Sequence, residues 1–443
     1  MKQEKESKET LVNKNFCLVI FFIFLIGCSI DNKSGIWSKN KKIKSANQYK
    51  DIIFEDNKEV SQELNKNIKI YLKDKYTLNN KKNYYNNNTG IKNYDGNLKQ
   101  IKKIKFSKIK NFSKFKPDIL FSKNGNIYFF NSKGTVIKFS KNLDVIWEKN
   151  IYSKKEKKLN PLLNLAIEKN TLILTDNLSN YYALNILNGD LLWRKTNSAA
   201  FNSEIKIAEN KIFTVDYDNI LKCFSIENGN LLWEYQTENT LIKSTKKTSL
   251  VLDENKVIFL NHTGDLNTLD QNGNLIWQTP TSKSIIYEDS FTNIYSDIVL
   301  DNNTIYFSNN KNEFFAVSLD TGSVKWRKKI NSSIRPTITK DLIITIADNG
   351  FLIILDKKNG KLVRSTNIKT KIKNKKWDDL VNNGFLVGKN KIYLSTNGKL
   401  NIIDLSDGLS KKIVDLDKKF IARPYIYEKS MYILSSNQII KYN

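Results

Sequence analysis

The chain is poor in histidine, cysteine and arginine. Its 443 residues include one histidine, three cysteines and five arginines. The histidine, His262, precedes Gly264 in a predicted turn, where a polar turn role fits better than general acid or base catalysis. The sequence has no Cys/His spacing typical of a metal site, no acidic calcium loop and no glycine-rich phosphate loop. We therefore expect no catalytic site, no bound metal and no cofactor.

The positive charge of the chain is carried almost entirely by lysine. The net charge is +27, and 67 of the 72 basic residues are lysines spread along the whole length. Arginine is the side chain best suited to bidentate recognition of phosphates and bases. A diffuse lysine excess therefore argues against a nucleic-acid partner and fits better with nonspecific attraction to anionic lipid head groups.

An apolar run near the N-terminus is too short to cross a bilayer. It extends over eleven residues, from Phe16 to Ile26, whereas roughly 20 are needed for a membrane span. Lysines precede it, as in a secretory signal. The sequence Leu25-Ile26-Gly27-Cys28 resembles the bacterial lipobox, which predicts a lipoprotein signal peptide over residues 1–27 and acyl chains on Cys28. Ser29 after the cysteine favours the outer membrane, and an uncleaved anchor is the alternative.

The remaining cysteines do not predict a disulfide. After cleavage only Cys28 and Cys223 are left, and an acylated Cys28 cannot pair with Cys223. Cys223 lies between Lys222 and Phe224 in a predicted strand, so we expect a small strand residue.

One sequence motif recurs between Phe130 and Tyr442. It is clearest at Ala316–Trp326, where apolar residues alternate, a polar turn ends in glycine, and tryptophan follows four residues later. The repeat tryptophans are Trp147, Trp193, Trp233, Trp277 and Trp326, and the turn glycines are Gly189, Gly229, Gly273, Gly322, Gly360 and Gly408. The tryptophans stand 46, 40, 44 and 49 residues apart, a period typical of a four-stranded propeller blade. We expect each tryptophan to pack between neighbouring blades.

The repeat predicts eight units over residues 101–443. They begin near Pro117, Pro161, Phe201, Thr248, Asp297, Arg335, Gly384 and Arg423. Units six and seven have Arg364 and Lys412 where tryptophan would stand, and the eighth unit has three strands. Because an open sheet edge promotes aggregation, we expect the segment from Ile101 to Phe112 to supply the missing strand. The predicted fold is an all-β, eight-bladed β-propeller of four-stranded antiparallel blades, closed by an N-terminal strand.

Residues 28–100 lack the turn chemistry of the repeat. They are rich in lysine and asparagine, which predicts a lipidated and largely disordered tether. The stretch from Val60 to Leu72 also permits a helix.

The repeat carries a family resemblance. The pattern Ala-x-Asn/Ser-x-x-Thr/Asn-Gly-x-x-x-Trp, at Ala183–Trp193 and Ala316–Trp326, is similar to that of the pyrroloquinoline-quinone-like propellers. An exported lipoprotein with eight such units resembles the BamB-like outer-membrane assembly lipoproteins. The resemblance implies a non-enzymatic periplasmic scaffold that binds the POTRA domains of a BamA-like barrel-assembly subunit and assists nascent outer-membrane proteins.

The sequence leaves two other functions open. Fold alone does not choose a partner, so a general envelope scaffold or a ligand-binding propeller is one alternative. A quinone-dependent periplasmic dehydrogenase is the other. Dehydrogenases of the superfamily hold their quinone with calcium-binding acidic residues and often a pair of adjacent cysteines, and this sequence has no adjacent cysteines.

The family's partner contact, by resemblance, is made by loops between central blades. The longest insertion between repeat tryptophans here is Ser282 to Ser296. Its apolar and aromatic residues Phe291, Ile294 and Tyr295 are predicted partner-binding anchors, unless the loop folds onto its own blade. Asp348 aligns with the family's partner-binding face, although the adjoining Asn-Gly also suits a simple turn.

Overall fold

Short runs of β-branched and aromatic residues, separated by Asn-Gly turns, form the strands. The computed structural model describes residues 60–72, 92, 94–237, 246–281, 294–368, 382–416 and 420–443. In this part of the chain the strands form eight antiparallel sheets of four strands each. The predicted eight-bladed β-propeller is therefore confirmed.

The elements follow one another in chain order. The first strands are β1 (Gln100–Lys105), β2 (Leu120–Phe121), β3 (Ile127–Phe130), β4 (Val136–Phe139), β5 (Val145–Lys149), β6 (Leu163–Glu168), β7 (Thr171–Asp176), β8 (Asn180–Asn185), β9 (Leu191–Thr196), β10 (Lys206–Ala208), β11 (Lys211–Val215), β12 (Ile220–Ser225), β13 (Leu231–Gln236), β14 (Leu250–Asp253), β15 (Lys256–Leu260), β16 (Asp265–Asp270) and β17 (Leu275–Pro280). The later strands are β18 (Val299–Asp301), β19 (Thr304–Ser308), β20 (Phe314–Ser318), β21 (Val324–Lys328), β22 (Thr337–Ile338), β23 (Leu342–Ile346), β24 (Phe351–Asp356), β25 (Leu362–Asn367), β26 (Gly384–Val387), β27 (Lys391–Ser395), β28 (Lys399–Asp404), β29 (Ser410–Asp415), β30 (Tyr425–Tyr427), β31 (Ser430–Ser435) and β32 (Gln438–Tyr442). The described residues also form the short helices α1 (Phe112–Phe115) and α2 (Lys154–Lys158).

Seven blades are each built from four consecutive strands. Blade 1 is β2–β5, blade 2 is β6–β9, and the pattern continues to blade 7, which is β26–β29. Blade 8 consists of β30, β31 and β32, and β1 forms its outer strand. Ile104 of β1 lies opposite Ile439 of β32 in an antiparallel pair. The predicted closure by the segment before the first unit is thus confirmed, and it leaves blade 8 with the same four strands as the others.

The core lies between neighbouring blades. Inner and middle strands are buried on both faces, so they are almost continuously apolar, whereas the outer strands are largely exposed. Ile173 of blade 2 and Ile212 of blade 3, for example, belong to one buried cluster. Removal of this apolar surface from water stabilises each blade against the next.

The repeat tryptophans pack on the turn glycines of the following blade, as predicted. A Cβ added to Gly229 would lie 2.8 Å from the Trp193 ring, and one added to Gly360 would lie 2.6 Å from the Trp326 ring. Gly229 has φ +70° and Gly360 has φ +69°, which glycine adopts without strain. Glycine is therefore required here both for its backbone conformation and for the close approach of the indole.

Residues 60–72, here called the N-terminal strap, lie against blades 6 and 7. Leu64 pairs with Ser365 of β25 in an antiparallel bridge, and the N–H of Ile70 donates to the carbonyl of Ser406 at 3.1 Å. The strap contains no helix, so the helix permitted over Val60–Leu72 is wrong. The chain division at residues 27 and 100 stays a prediction. Among the described residues, no helix has the length and apolar character needed to cross a membrane.

Candidate partner-binding face and central channel

The inner strands surround a cavity of about 1040 Å³ lined by residues from all eight blades. At one end it is lined by residues just before the inner strands, such as Asp297 and Arg335. At the other end it reaches the turns that follow the inner strands of blades 1 and 2, including Asn124 and Lys169. The cavity therefore runs along the axis of the ring, and we call it the central channel.

An ion-pair network crosses one end of the channel. Arg335 Nη2 lies 3.0 Å from Glu204 Oε1 and 2.8 Å from Asp297 Oδ2. Lys206 Nζ lies 2.8 Å from Glu204 Oε2, and Lys246 Nζ lies 4.0 Å from Asp297 Oδ1. Arg335 thus joins blades 3, 5 and 6, whose inner strands these residues precede or begin.

Burial and neighbouring charges shift the pKa values of side chains at this end of the channel. Burial tends to raise the pKa of Asp297, but the charges of Arg335 and Lys246 outweigh it and hold this pKa well below its usual range. Burial lowers the pKa of Lys246 to about 8. Burial and the charge of Arg335 lower the pKa of Arg423 to about 10. Because ten lining side chains are basic and four are acidic, the described wall of the channel carries a positive field.

Two predicted partner-binding residues lie on the face where this network sits. Ile294 is 45% exposed, and its carbonyl accepts from the N–H of Asn310 at 3.0 Å. The exposed Asp348 accepts from the N–H and the hydroxyl of Ser333 at 3.2 and 3.0 Å. The N–H of Asp348 donates to the carbonyl of Asn331 at 2.8 Å.

These two local networks are connected through the turn after β19. Asn309, next to Asn310, pairs with Asn331 in a parallel bridge, and its carbonyl accepts from the N–H of Ser332 at 3.2 Å. Ile294 and Asp348 therefore sit on one hydrogen-bonded surface formed by blades 5 and 6.

Tyr295 does not lie on this surface. Its side chain is 7% exposed and belongs to the apolar cluster between blades 4 and 5. A Cβ on Gly264 would lie 1.9 Å from the Tyr295 hydroxyl oxygen. Tyr295 is therefore a core residue, and its prediction as a partner-binding anchor is wrong. Its ring is already packed against the Gly264 turn, so a partner cannot reach it. Phe291 and Cys28 lie outside the described residues.

The lone histidine contacts polar side chains, and the strand cysteine is buried. His262 Nε2 lies 3.1 Å from Asn202 Nδ2 and 3.2 Å from Thr248 Oγ1, between blades 3 and 4. Cys223 is buried on β12, and burial raises the pKa of its thiol to about 12. In the part of the chain that the structure describes, no group of three His, Cys, Asp or Glu residues could hold a metal ion.

Sequence reasoning missed the network at the channel. Arg335 and Asp297 appeared in it only as the first residues of two units, and Glu204 did not appear at all. The scarcity of arginine was a usable signal, because five arginines among 72 basic residues suggest positions that need a forked, permanently charged donor. Three of the five, Arg335, Arg364 and Arg423, make such contacts inside the ring.

A family model described as outer membrane protein assembly factor BamB matches residues 120–366, more than half of the chain. The chain belongs to the BamB family. The solved structure of BamB from Moraxella catarrhalis is similar with a TM-score of 0.64 and 14% identity, covering 78% of this chain and 99% of that one. None of the curated proteins compared matches this chain.

Two further solved structures show the same fold in other settings. Quinohemoprotein alcohol dehydrogenase from Comamonas testosteroni has a TM-score of 0.60 at 11% identity, covering 78% of this chain and 76% of that one. The computationally designed Ika8 protein has a TM-score of 0.57 at 11% identity, covering 80% and 100%. At such identities these likenesses show the fold alone, so membership of the BamB family rests on the sequence model.

Proposed function

We propose that this chain is a non-enzymatic scaffold of outer-membrane β-barrel assembly. It is anchored by acyl chains on Cys28 at the periplasmic face of the outer membrane, docks on POTRA domains of a BamA-like subunit, and assists insertion of nascent barrel proteins. Family membership supports this role. The docking site is inferred from Ile294 and Asp348, which are both exposed on one hydrogen-bonded face.

The geometry of this face suits a docking surface. An exposed apolar side chain beside polar groups is typical of an interface anchor with a polar rim. Hydrogen bonds connect the backbone of Ile294 to Asn310, the backbone of Asp348 to Asn331, and the carboxylate of Asp348 to Ser333. Little conformational entropy is therefore lost when a partner binds. The side chain of Tyr295, the residue next to Ile294, is buried between blades 4 and 5.

The test is a titration of a purified POTRA-domain fragment against the full chain in detergent. We expect Phe291→Ser with Ile294→Ser to weaken binding at least roughly tenfold, about 1.4 kcal/mol, and Asp348→Lys to weaken it less. Ile101→Ser, a change of an exposed residue on blade 8, is the matched control. Circular dichroism checks the fold. Equal affinities of the variants and the wild type would show that this face is not the interface. If the wild type did not bind the fragment, the result would favour a general scaffold.

A ligand-binding propeller is the second candidate function, because the ring encloses the central channel. The similarity to a quinohemoprotein dehydrogenase suggests a quinone as one ligand to consider. The described lining has four carboxylates, of Asp118, Glu168, Glu204 and Asp297, and no three of them form a metal group. Glu204 and Asp297 are already paired with Arg335, so these two carboxylates do not fit the role of calcium ligands beside a quinone. Turnover of an alcohol after addition of quinone and calcium would overturn the non-enzymatic proposal.

A further inference from the structure

The strap shows how a strand edge of this ring accepts an extended chain. Besides the bridge at Leu64, Asn65 Nδ2 donates to the carbonyl of Val363 at 2.9 Å. The N–H of Asn367 donates to Glu63 Oε1 at 3.1 Å. Three consecutive residues of the strap therefore satisfy outward-facing backbone groups along the outer edge of β25.

The strap also covers apolar side chains on that edge. Leu362 and Val363, the first two residues of β25, are half-buried. Leu362 shares an apolar cluster with Val60, and Val363 shares one with Ile70. The contact between the strap and blade 6 thus combines backbone pairing with burial of an apolar pair.

The same apolar pair is exposed on blades 1 to 4. The exposed fractions are 51% and 49% for Val145 and Ile146, 46% and 53% for Leu191 and Leu192, 49% and 49% for Leu231 and Leu232, and 43% and 45% for Leu275 and Ile276. Within the described ranges, no strand or bridge pairs with the outer edges of β5, β9, β13 and β17. Four adjacent blades therefore expose the apolar pair that is covered on blade 6.

Blades 4 and 5 carry features that protect an edge. β17 ends in Pro280, which has no N–H to donate to an added strand. β21 has Lys325 in place of the second apolar residue, and charged side chains discourage edge pairing. The outer strands of blades 1, 2 and 3 have neither feature, and we call their outer edges the open edges.

The strap is held on blade 6 by a residue that blades 1 to 3 lack. Arg364 Nη1 donates to the carbonyl of Ile68 at 3.0 Å. The equivalent indole N–H groups of Trp147, Trp193 and Trp233 donate to the next blade instead. The strap therefore has no such donor at the open edges.

We propose that the outer edges of blades 1, 2 and 3 bind extended segments of unfolded polypeptide in which apolar and polar residues alternate. Unpaired N–H and C=O groups on an edge strand are a template for an added strand. Membrane-barrel strands have this alternation, so their apolar residues would cover the exposed pairs. This choice of partner rests on the proposed function in barrel assembly.

The experiment measures binding of a short labelled peptide of alternating valine and threonine to the full chain in detergent, by fluorescence anisotropy. We expect Leu192→Lys with Leu232→Lys to weaken binding at least roughly tenfold, and the milder Leu192→Thr with Leu232→Thr to weaken it in the same direction. Val324→Lys on the already charged blade 5 is the matched control and leaves the affinity unchanged. A peptide with proline at alternate positions should not bind, because it lacks the backbone donors.

Two results would overturn the inference: equal affinity of both double variants and the wild type, or full binding of the proline peptide. Titration of the POTRA-domain fragment on the same samples separates this inference from the proposed function. A wild type that binds the strand peptide but no POTRA fragment refutes the docking proposal and leaves the edges as peptide sites. A wild type that binds the POTRA fragment but not the strand peptide refutes only the proposal that the open edges bind peptides.

Discussion

Arg364 Nη2 donates to the carbonyl of Leu405 at 2.7 Å, at the place where earlier blades use tryptophan. Trp193 Nε1, for comparison, donates to the carbonyl of Ile226 at 3.0 Å. Leu405 and Ile226 each stand three residues before a turn glycine, so the two acceptors are equivalent. Arg364 keeps the inter-blade hydrogen bond that the repeat makes, and its additional bond to the strap requires a second donor that tryptophan does not have.

Arg364→Ala should destabilise the ring by about 3 kcal/mol, because the change leaves buried carbonyls without their charged donor and opens a cavity. The measurement is denaturant unfolding followed by tryptophan fluorescence. Arg364→Trp is the informative comparison: it should keep most of the ring's stability but release the strap to protease. Unchanged stability of Arg364→Ala would contradict this role.

Trp326→Ala should cost about 3 to 5 kcal/mol, the range for emptying a large aromatic site, since its side chain is 8% exposed. Trp193 is half-buried, so we expect a smaller loss for Trp193→Ala. Trp193→Phe keeps the contact with Gly229 but loses one hydrogen bond, which costs about 1 kcal/mol. Thermal melting ranks the three variants, and an order other than Trp326→Ala, Trp193→Ala, Trp193→Phe would contradict the inter-blade packing.

Deletion of residues 101–112 should lower the melting temperature and promote aggregation, because β32 loses its partner and becomes an open edge. Light scattering during heating is the measurement. Ile101→Thr is the control, since Ile101 is 55% exposed and lies at the irregular position of the β1–β32 pair. If the deletion melted like the wild type, closure by β1 would not contribute to stability.

The channel network predicts a pH dependence with a definite sign. The pKa of Asp297 is lowered from its ordinary 3.8, so its carboxylate stabilises the fold above that pH, and the contribution is lost as pH falls below it. The destabilisation caused by Asp297→Asn should therefore shrink between pH 7 and pH 3.

Asp176 is the matched control for this pH measurement. Burial raises its pKa despite its hydrogen bonds, so protonation favours the folded state and the effect of Asp176→Asn should change in the opposite direction. The free energy of unfolding at several pH values tests both variants. Parallel curves for the two would refute the assigned charges.

Cys28→Ser should abolish acylation and release the chain from the outer-membrane fraction, because lipoprotein processing requires the thiol. Cys17→Ser, a change within the apolar run, is the control and should leave processing intact. Mass spectrometry of the mature chain decides, and acyl chains on the Cys28→Ser protein would contradict the lipoprotein prediction.

The fold was predictable because its determinants are local. A glycine with positive φ and a tryptophan four residues later determine one turn and one inter-blade contact, as at Gly322 and Trp326, and repetition turns that local rule into a ring. The closing strand was predictable for a related reason, since three strands in the last unit require a fourth. The candidate face was only partly predictable. Ile294 and Tyr295 are adjacent in sequence and both have large side chains, and only packing against Gly264 distinguishes the buried side chain from the exposed one.

The sequence by itself therefore determined the strand pattern, the eight blades, the closure and the BamB-like repeat. Tertiary structure alone decided which residues meet across the ring: Arg335 with Glu204, 131 residues away in sequence, and Leu64 with Ser365. The physical reason is that a repeat specifies contacts between one blade and the next. Contacts across the channel or along an outer edge depend on how all the blades close around the axis.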